Sequence, residues 1–153
     1  MTQSRKHTPP VRIVTAAVIG GLLAVPMLAA AGSLFAHATT GDGLASVVSA
    51  LLSLVVLGIA GVNLMGAVHL VQRGTAWLTQ LGGYLTIGVT AVILTSMLVG
   101  SSPGVAVPVA LVFLAPAIAM LTLLGTARAR RWITARGRER YAFLSEAYSR
   151  NEP

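Results

Sequence analysis

Four long apolar runs, at about residues 13–35, 44–71, 76–100 and 105–127, fill the middle of the chain. Three short segments divide them: HATTGDG at 37–43, QRG at 72–74 and GSSPG at 100–104. A helix rises 1.5 Å per residue, so crossing a hydrocarbon core of ~30 Å takes roughly 20 apolar residues. Each run is long enough. The glycines and polar residues between them read as turns. The pattern predicts an all-α integral membrane protein, with four transmembrane helices in an up-down bundle over residues 13–127. A basic N-terminal segment, 1–12, precedes the bundle, and a short, basic, partly helical tail, 128–153, follows it.

Within the runs, small and polar residues fall in rows. In the second, Ser46, Ser49, Ser53, Val56, Ala60, Asn63 and Ala67 alternate spacings of three and four, a narrow seam on one helical face. Thr75, Thr79, Gly83, Thr86 and Thr90 form a similar stripe in the third, and Ala16, Gly20 and Ala24 in the first. Lipid tails are as apolar as leucine, so membrane helices associate through close packing and interhelical hydrogen bonds, which small and hydroxylated residues permit. The fourth run carries Pro108 and Pro116, and a kink is expected near Pro116, at mid-span.

Two polar residues in the second run, Asn63 and His69, raise the question of an intramembrane site. If the second and third helices form a hairpin about residues 74–75, Asn63 lies level with Thr86. A lone amide with no charged partner makes a poor transport site, so Asn63 is read as hydrogen-bonded glue to Thr86, with Ser53 and Gly83 as further packing positions. His69 lies six residues on, about 240° around the helix. It is expected at the membrane boundary, hydrogen-bonded to Gln80 or to water, because the spans contain no Asp or Glu to complete a proton relay.

Composition sharpens this picture. Hydrophobic residues make up 55% of the chain and charged residues 10%, with mean hydropathy +0.79. A soluble domain carries about a quarter of its residues as charges. Between Ile13 and Ala127 the only charges are Asp42 and Arg73. With four helices, the QRG loop and both termini share one side, and all 11 Lys and Arg fall there. The positive-inside bias puts that side in the cytoplasm and makes the chain multi-pass. An Arg-rich, Ala-, Val- and Gly-rich composition is associated with a bacterial source, hence a bacterial cytoplasmic (plasma) membrane. Ala36-His37-Ala38 resembles a signal-peptidase site, but the apolar run before it is long for a secretory signal.

Catalytic chemistry has little to work with. There is no cysteine, which removes thiol nucleophiles, thiolate metal sites and disulfides. The three histidines, His7, His37 and His69, are scattered, and the four acids are Asp42, Glu139, Glu146 and Glu152. No catalytic, metal or cofactor residue is expected, and the chain is read as non-enzymatic. The tail is more informative. Arg128, Arg130, Arg131, Arg136, Arg138 and Arg140, with Trp132 among them, follow the fourth run directly. Juxtamembrane basic clusters attract anionic lipid headgroups, at about 1 kcal/mol per residue near the surface, and Trp suits the interface. Tyr141, Leu144 and Tyr148 share one helical face. No nucleic-acid partner is expected. The favoured function is a helical scaffold or accessory subunit that associates with itself or with an envelope complex. The alternative is a homo-oligomeric pore or small transporter, including a holin-like phage protein.

Overall fold

The computed structural model describes residues 9–99 and 103–149. Its elements are helical throughout: α1 (Val11–Thr40), α2 (Gly43–Arg73), α3 (Trp77–Val99), α4 (Pro103–Val109), a π-helical turn (Ala110–Leu114), α5 (Ala115–Gly125) and α6 (Ala127–Ser149). Four helices among the described residues are long and apolar enough to cross a membrane: α1, α2, α3 over Trp77–Thr95, and the combined fourth segment over Val107–Gly125. This is compatible with a polytopic membrane protein.

The first connection is shorter than the polar stretch 37–43 suggests. Nothing in that stretch before Gly41 stops a helix, and the polar side chains there are absorbed locally. Thr39 and Thr40 donate to the Ala36 carbonyl, and His37 Nδ1 lies 3.0 Å from the Ser33 carbonyl rather than against Asp42. The helix ends at Gly41, whose N–H bonds to the His37 carbonyl. Only Gly41 and Asp42 separate α1 from α2. Ala36-His37-Ala38 therefore lies inside α1, a helix that supplies Ile13, Ala16 and Ala17 to one core cluster and Ala24, Met27 and Ala31 to another. At 30 and 31 residues, α1 and α2 are each roughly 45 Å long. That matches a bilayer with its headgroup layers.

At the other end of α2, Gly74 takes a left-handed conformation (φ 67°), a helix-terminating geometry that costs glycine nothing. The fourth span is interrupted where the prolines predict trouble. Pro116 has no N–H to offer the preceding turn, and the chain widens there. Ala115 N–H reaches back five residues to the Ala110 carbonyl, so Pro116 falls in the first turn of a new segment, where a missing donor is harmless. A single extended residue, Thr126 (φ −65°, ψ 143°), separates α5 from α6.

Each span packs on the next, and α5 closes the ring by packing on both α1 and α3. Contacts between α1 and α2 run in opposite senses: Ser46 meets Ala38, Ser53 meets Ala31 and Asn63 meets Met27. The packing inverts the habit of water-soluble proteins. Buried positions are mostly small or polar (Ala16, Gly20, Ala60, Asn63, Gly66, Thr79, Thr86), while Val18, Leu22, Val25, Leu51, Leu54 and Leu57 lie exposed on the outside. Helices that are apolar on their outer faces and small within suit a hydrocarbon solvent, where close approach rather than water exclusion drives association.

Candidate functional site

The polar centre of the bundle is Asn63, fully buried on α2. Its Nδ2 donates to the Ile59 carbonyl one turn back at 3.1 Å and to Thr86 Oγ1 on α3 at 3.1 Å, with Met27 Sδ of α1 at 3.7 Å. Thr86 in turn donates to the Gly82 carbonyl at 2.7 Å. One amide thus ties α2 to α3 and touches α1. Its Oδ1 has no hydrogen-bond partner among the described residues. The atom is seated against Gly82, where an added Cβ would come within 2.6 Å of it. Glycine leaves the room that lets the amide oxygen fit.

Two further polar contacts join neighbouring spans. Ser53 donates to the Ala31 carbonyl of α1 at 2.9 Å, and Thr79 donates to the Gly66 carbonyl of α2 at 2.8 Å. Ser53 and Thr79 are buried. Interhelical hydrogen bonds in membranes average about 0.6 kcal/mol each, so the set is modest in energy but specific in register. The closest backbone approach lies beside it. A Cβ on Gly66 would stand 2.8 Å from Thr79 N and 2.9 Å from Thr79 Cα.

Gly83, expected as a packing position, does lie at a helix interface. It faces Met120 and Leu121 of α5, not α2. The close approach of α2 and α3 is permitted by Gly66 and Gly82, which the spacing pattern did not single out; a glycine level with a buried amide or threonine on the facing helix was the available signal. Of the two partners expected for His69, Gln80 or water, Gln80 is not bonded to it. His69 is half-buried, Gln80 is exposed, and no hydrogen bond joins them, because Gln80 follows the buried Thr79 and points off the packed face of α3.

A second polar region lies at the end of the bundle that carries the arginines. Here α6 turns under the spans instead of continuing α5. Ala129 is fully buried in the cluster of Ile13, Leu70 and Leu124, with Trp132 and Ile133 packed against it. Trp132 and Arg136 lie over Gly74, where an added Cβ would come 2.9 Å from Arg136 Cβ. Gly74 therefore serves both the turn and the seat of α6. The Arg136 guanidinium stacks 5.7 Å from the Trp132 ring centroid and lies 3.7 Å from Glu139. Arg128, Arg130, Arg131 and Arg138 are exposed, whereas the side chains of Arg140, Leu144 and Tyr148 lie outside the described residues.

Between α1, α2, α3 and the π-turn there is a cavity of about 300 Å³, lined by Met27, Leu34, Val56, Ile59, Ile93 and Phe113, with Ser33 and Thr90 as its polar members. Among the described residues no group of three His, Cys, Asp or Glu side chains is placed to hold a metal ion. Hydroxyls elsewhere donate to carbonyls of their own helix, as Thr15, Thr95, Thr122 and Thr134 do. Comparison of the chain with protein-family models, curated proteins and solved structures found no match.

Proposed function

We propose that the protein is a non-enzymatic, multi-pass protein of a bacterial cytoplasmic membrane. It is an up-down four-helix bundle with both termini and α6 on the cytoplasmic side. It acts as a helical scaffold or accessory subunit, associating with a second copy of itself or with an envelope complex. One observation carries this reading. The polar side chains of α2 and α3 at mid-bundle (Ser53, Asn63, Thr79 and Thr86) are buried, and the donors of each are engaged by other helices or by carbonyls. A conducting path needs polar groups along its length to replace an ion's hydration shell. Here Val56, Ile59 and Ala60 occupy the level between Ser53 and Asn63, and the cavity at that depth is lined by apolar side chains apart from Ser33 and Thr90. One-sided placement of all 11 basic residues supports the orientation.

The test has two arms. Extraction in mild detergent after in-cell crosslinking should recover the protein in a discrete higher-mass species, either a homo-oligomer or a complex with another membrane protein. Purified protein in liposomes should pass no ion current and release no trapped dye. Reproducible leakage that disappears on Ser53→Leu or Thr86→Leu would replace the scaffold by the pore.

A further inference from the structure

The start of α1 and the start of α6 flank an open, shallow pocket of about 560 Å³, lined by Pro10, Val11, Arg12, Arg128 and Trp132. Its two arginines come from opposite ends of the spanning region, and each is the second residue of its helix. That position is electrostatically unfavourable. Unsatisfied N–H groups give a helix N-terminus partial positive charge, and acidic side chains normally sit there. Neither α1 nor α6 has an acidic residue in its first turn. In α1 the first backbone N–H groups bonded to a carbonyl are those of Ile13 and Val14, both to Pro10; in α6 the bond closing the first turn runs from Arg130 N–H to the Thr126 carbonyl. Of the residues ahead of these, Val11, Arg12 and Arg128 belong to the pocket lining. Two cations thus meet two positive helix ends.

Among the described residues no carboxylate answers them. Arg12 and Arg128 are exposed and in no ion pair among the described residues. The nearby Glu139 lies with Arg136, and Asp42 is at the far end of α1. A local electrostatic rule broken at one place, without compensation among the described residues, marks a position shaped for something else. The rest of the lining narrows the choice. Val11, Pro10 and the Trp132 ring are apolar, and the pocket adjoins Ile13 and Ala129 of the core cluster, where the apolar spans end. In a bilayer that is the level of the phosphate groups. Basic pockets at the ends of spans are suited to anionic headgroups, and guanidinium binds phosphate oxygens in a bidentate fork.

We propose that this pocket holds the headgroup phosphate of one anionic phospholipid, with Arg12 and Arg128 as its ligands and Val11 and Trp132 against its glycerol and upper acyl atoms. The inference rests on the reading of the bundle as membrane-spanning. It differs from general attraction between a basic tail and a charged surface, because it assigns the contact to two of the arginines. Arg130 supplies the internal comparison. It carries the same charge two residues from Arg128, about 200° around α6, and is not part of the pocket.

The chain has two tryptophans, so Trp77→Phe leaves Trp132 as sole reporter inside the pocket. Full-length protein in nonionic detergent is titrated with short-chain phosphatidylglycerol, with phosphatidylcholine and with inorganic phosphate while Trp132 fluorescence is followed. Phosphatidylglycerol should give a saturable change. Arg12→Gln and Arg128→Gln should each weaken it by about tenfold or more, the loss of one charge-assisted contact, while Arg130→Gln weakens it less than about threefold. Without lipid, the two pocket variants should unfold at the same temperature as the parent or higher, since each removes a charge from a like-charged helix end; this separates lost binding from lost folding. Equal weakening by Arg130→Gln would overturn the proposal in favour of diffuse attraction. Saturation by inorganic phosphate or phosphatidylcholine at the same affinity would overturn it too. Neither result touches the membrane reading, which cysteine accessibility tests separately.

Discussion

Substituting Gly66 by alanine tests whether backbone approach between α2 and α3 governs the stability of this bundle. The new Cβ would stand 2.8 Å from Thr79 N, 2.9 Å from Thr79 Cα and 3.0 Å from Leu78 C. Non-bonded carbon contacts are comfortable at about 3.5 Å and beyond, so α3 must retreat by roughly 0.7 Å. All three atoms are backbone, and no side chain can rotate aside. The retreat also stretches the 2.8 Å bond from Thr79 Oγ1 to the Gly66 carbonyl. Overpacking of this kind costs about 1–3 kcal/mol, and the bond adds about 0.6 kcal/mol. Alanine's better helix propensity offsets this by up to about 1 kcal/mol. Gly58 and Gly61 on the same helix measure that offset, because a Cβ at either meets nothing within 4 Å. Relative to Gly58→Ala, Gly66→Ala should therefore lose about 2 kcal/mol. The measurement is unfolding by sodium dodecyl sulfate in nonionic detergent micelles, followed by circular dichroism. Equal midpoints for Gly66→Ala and Gly58→Ala would refute the close-approach argument.

Asn63→Leu should lower stability in the same assay by about 1 kcal/mol, because it severs the contact to Thr86; Gly83→Leu should lower it more, by wedging α3 from Met120 and Leu121. An Asn63→Leu protein that folds normally but loses a specific transport activity would show the amide to be a site instead of a strut. For topology, the absence of native cysteine leaves no background. Thr40→Cys should react with impermeant reagent in intact cells, and Thr75→Cys only after permeabilisation; labelling of Thr75→Cys in intact cells would reverse the orientation. Liposomes carrying the purified protein should retain a small trapped dye as well as empty liposomes do.

Much of the central packing was legible because the rules of helical periodicity act locally. The seam Ser53–Val56–Ala60–Asn63–Ala67 is the buried face of α2, and Thr79, Gly83, Thr86 and Thr90 lie on the buried face of α3. Counting back from the turn at Gly74 set Asn63 level with Thr86, and the structure brings the two within hydrogen-bond distance. The same counting failed for His69 and Gln80, since depth alone does not say which way a side chain points around its helix. It also named no neighbour for Gly83, which packs against Met120 and Leu121. A stripe on one helix says that something packs there, but which helix does so is decided by how the spans are arranged about one another.

The sequence by itself determined four apolar helices, their approximate limits and the small-polar lining between them, because hydrophobic run length and spacing are properties of a single helix. It did not determine that α1 would absorb the polar residues as far as Thr40, which depended on Thr39, Thr40 and His37 finding carbonyls within the helix. Nor did it place Gly66 and Gly82 as the points of closest approach, or bring Arg12 beside Arg128 across more than a hundred residues of chain. The pairing of Arg12 with Arg128 followed from the extended turn at Thr126 and the fit of Trp132 and Arg136 over Gly74, which swing α6 beneath the bundle. Contacts of that kind depend on the direction in which one helix leaves another, and a backbone angle at a single residue sets that direction with little trace in the pattern of apolar positions on either side.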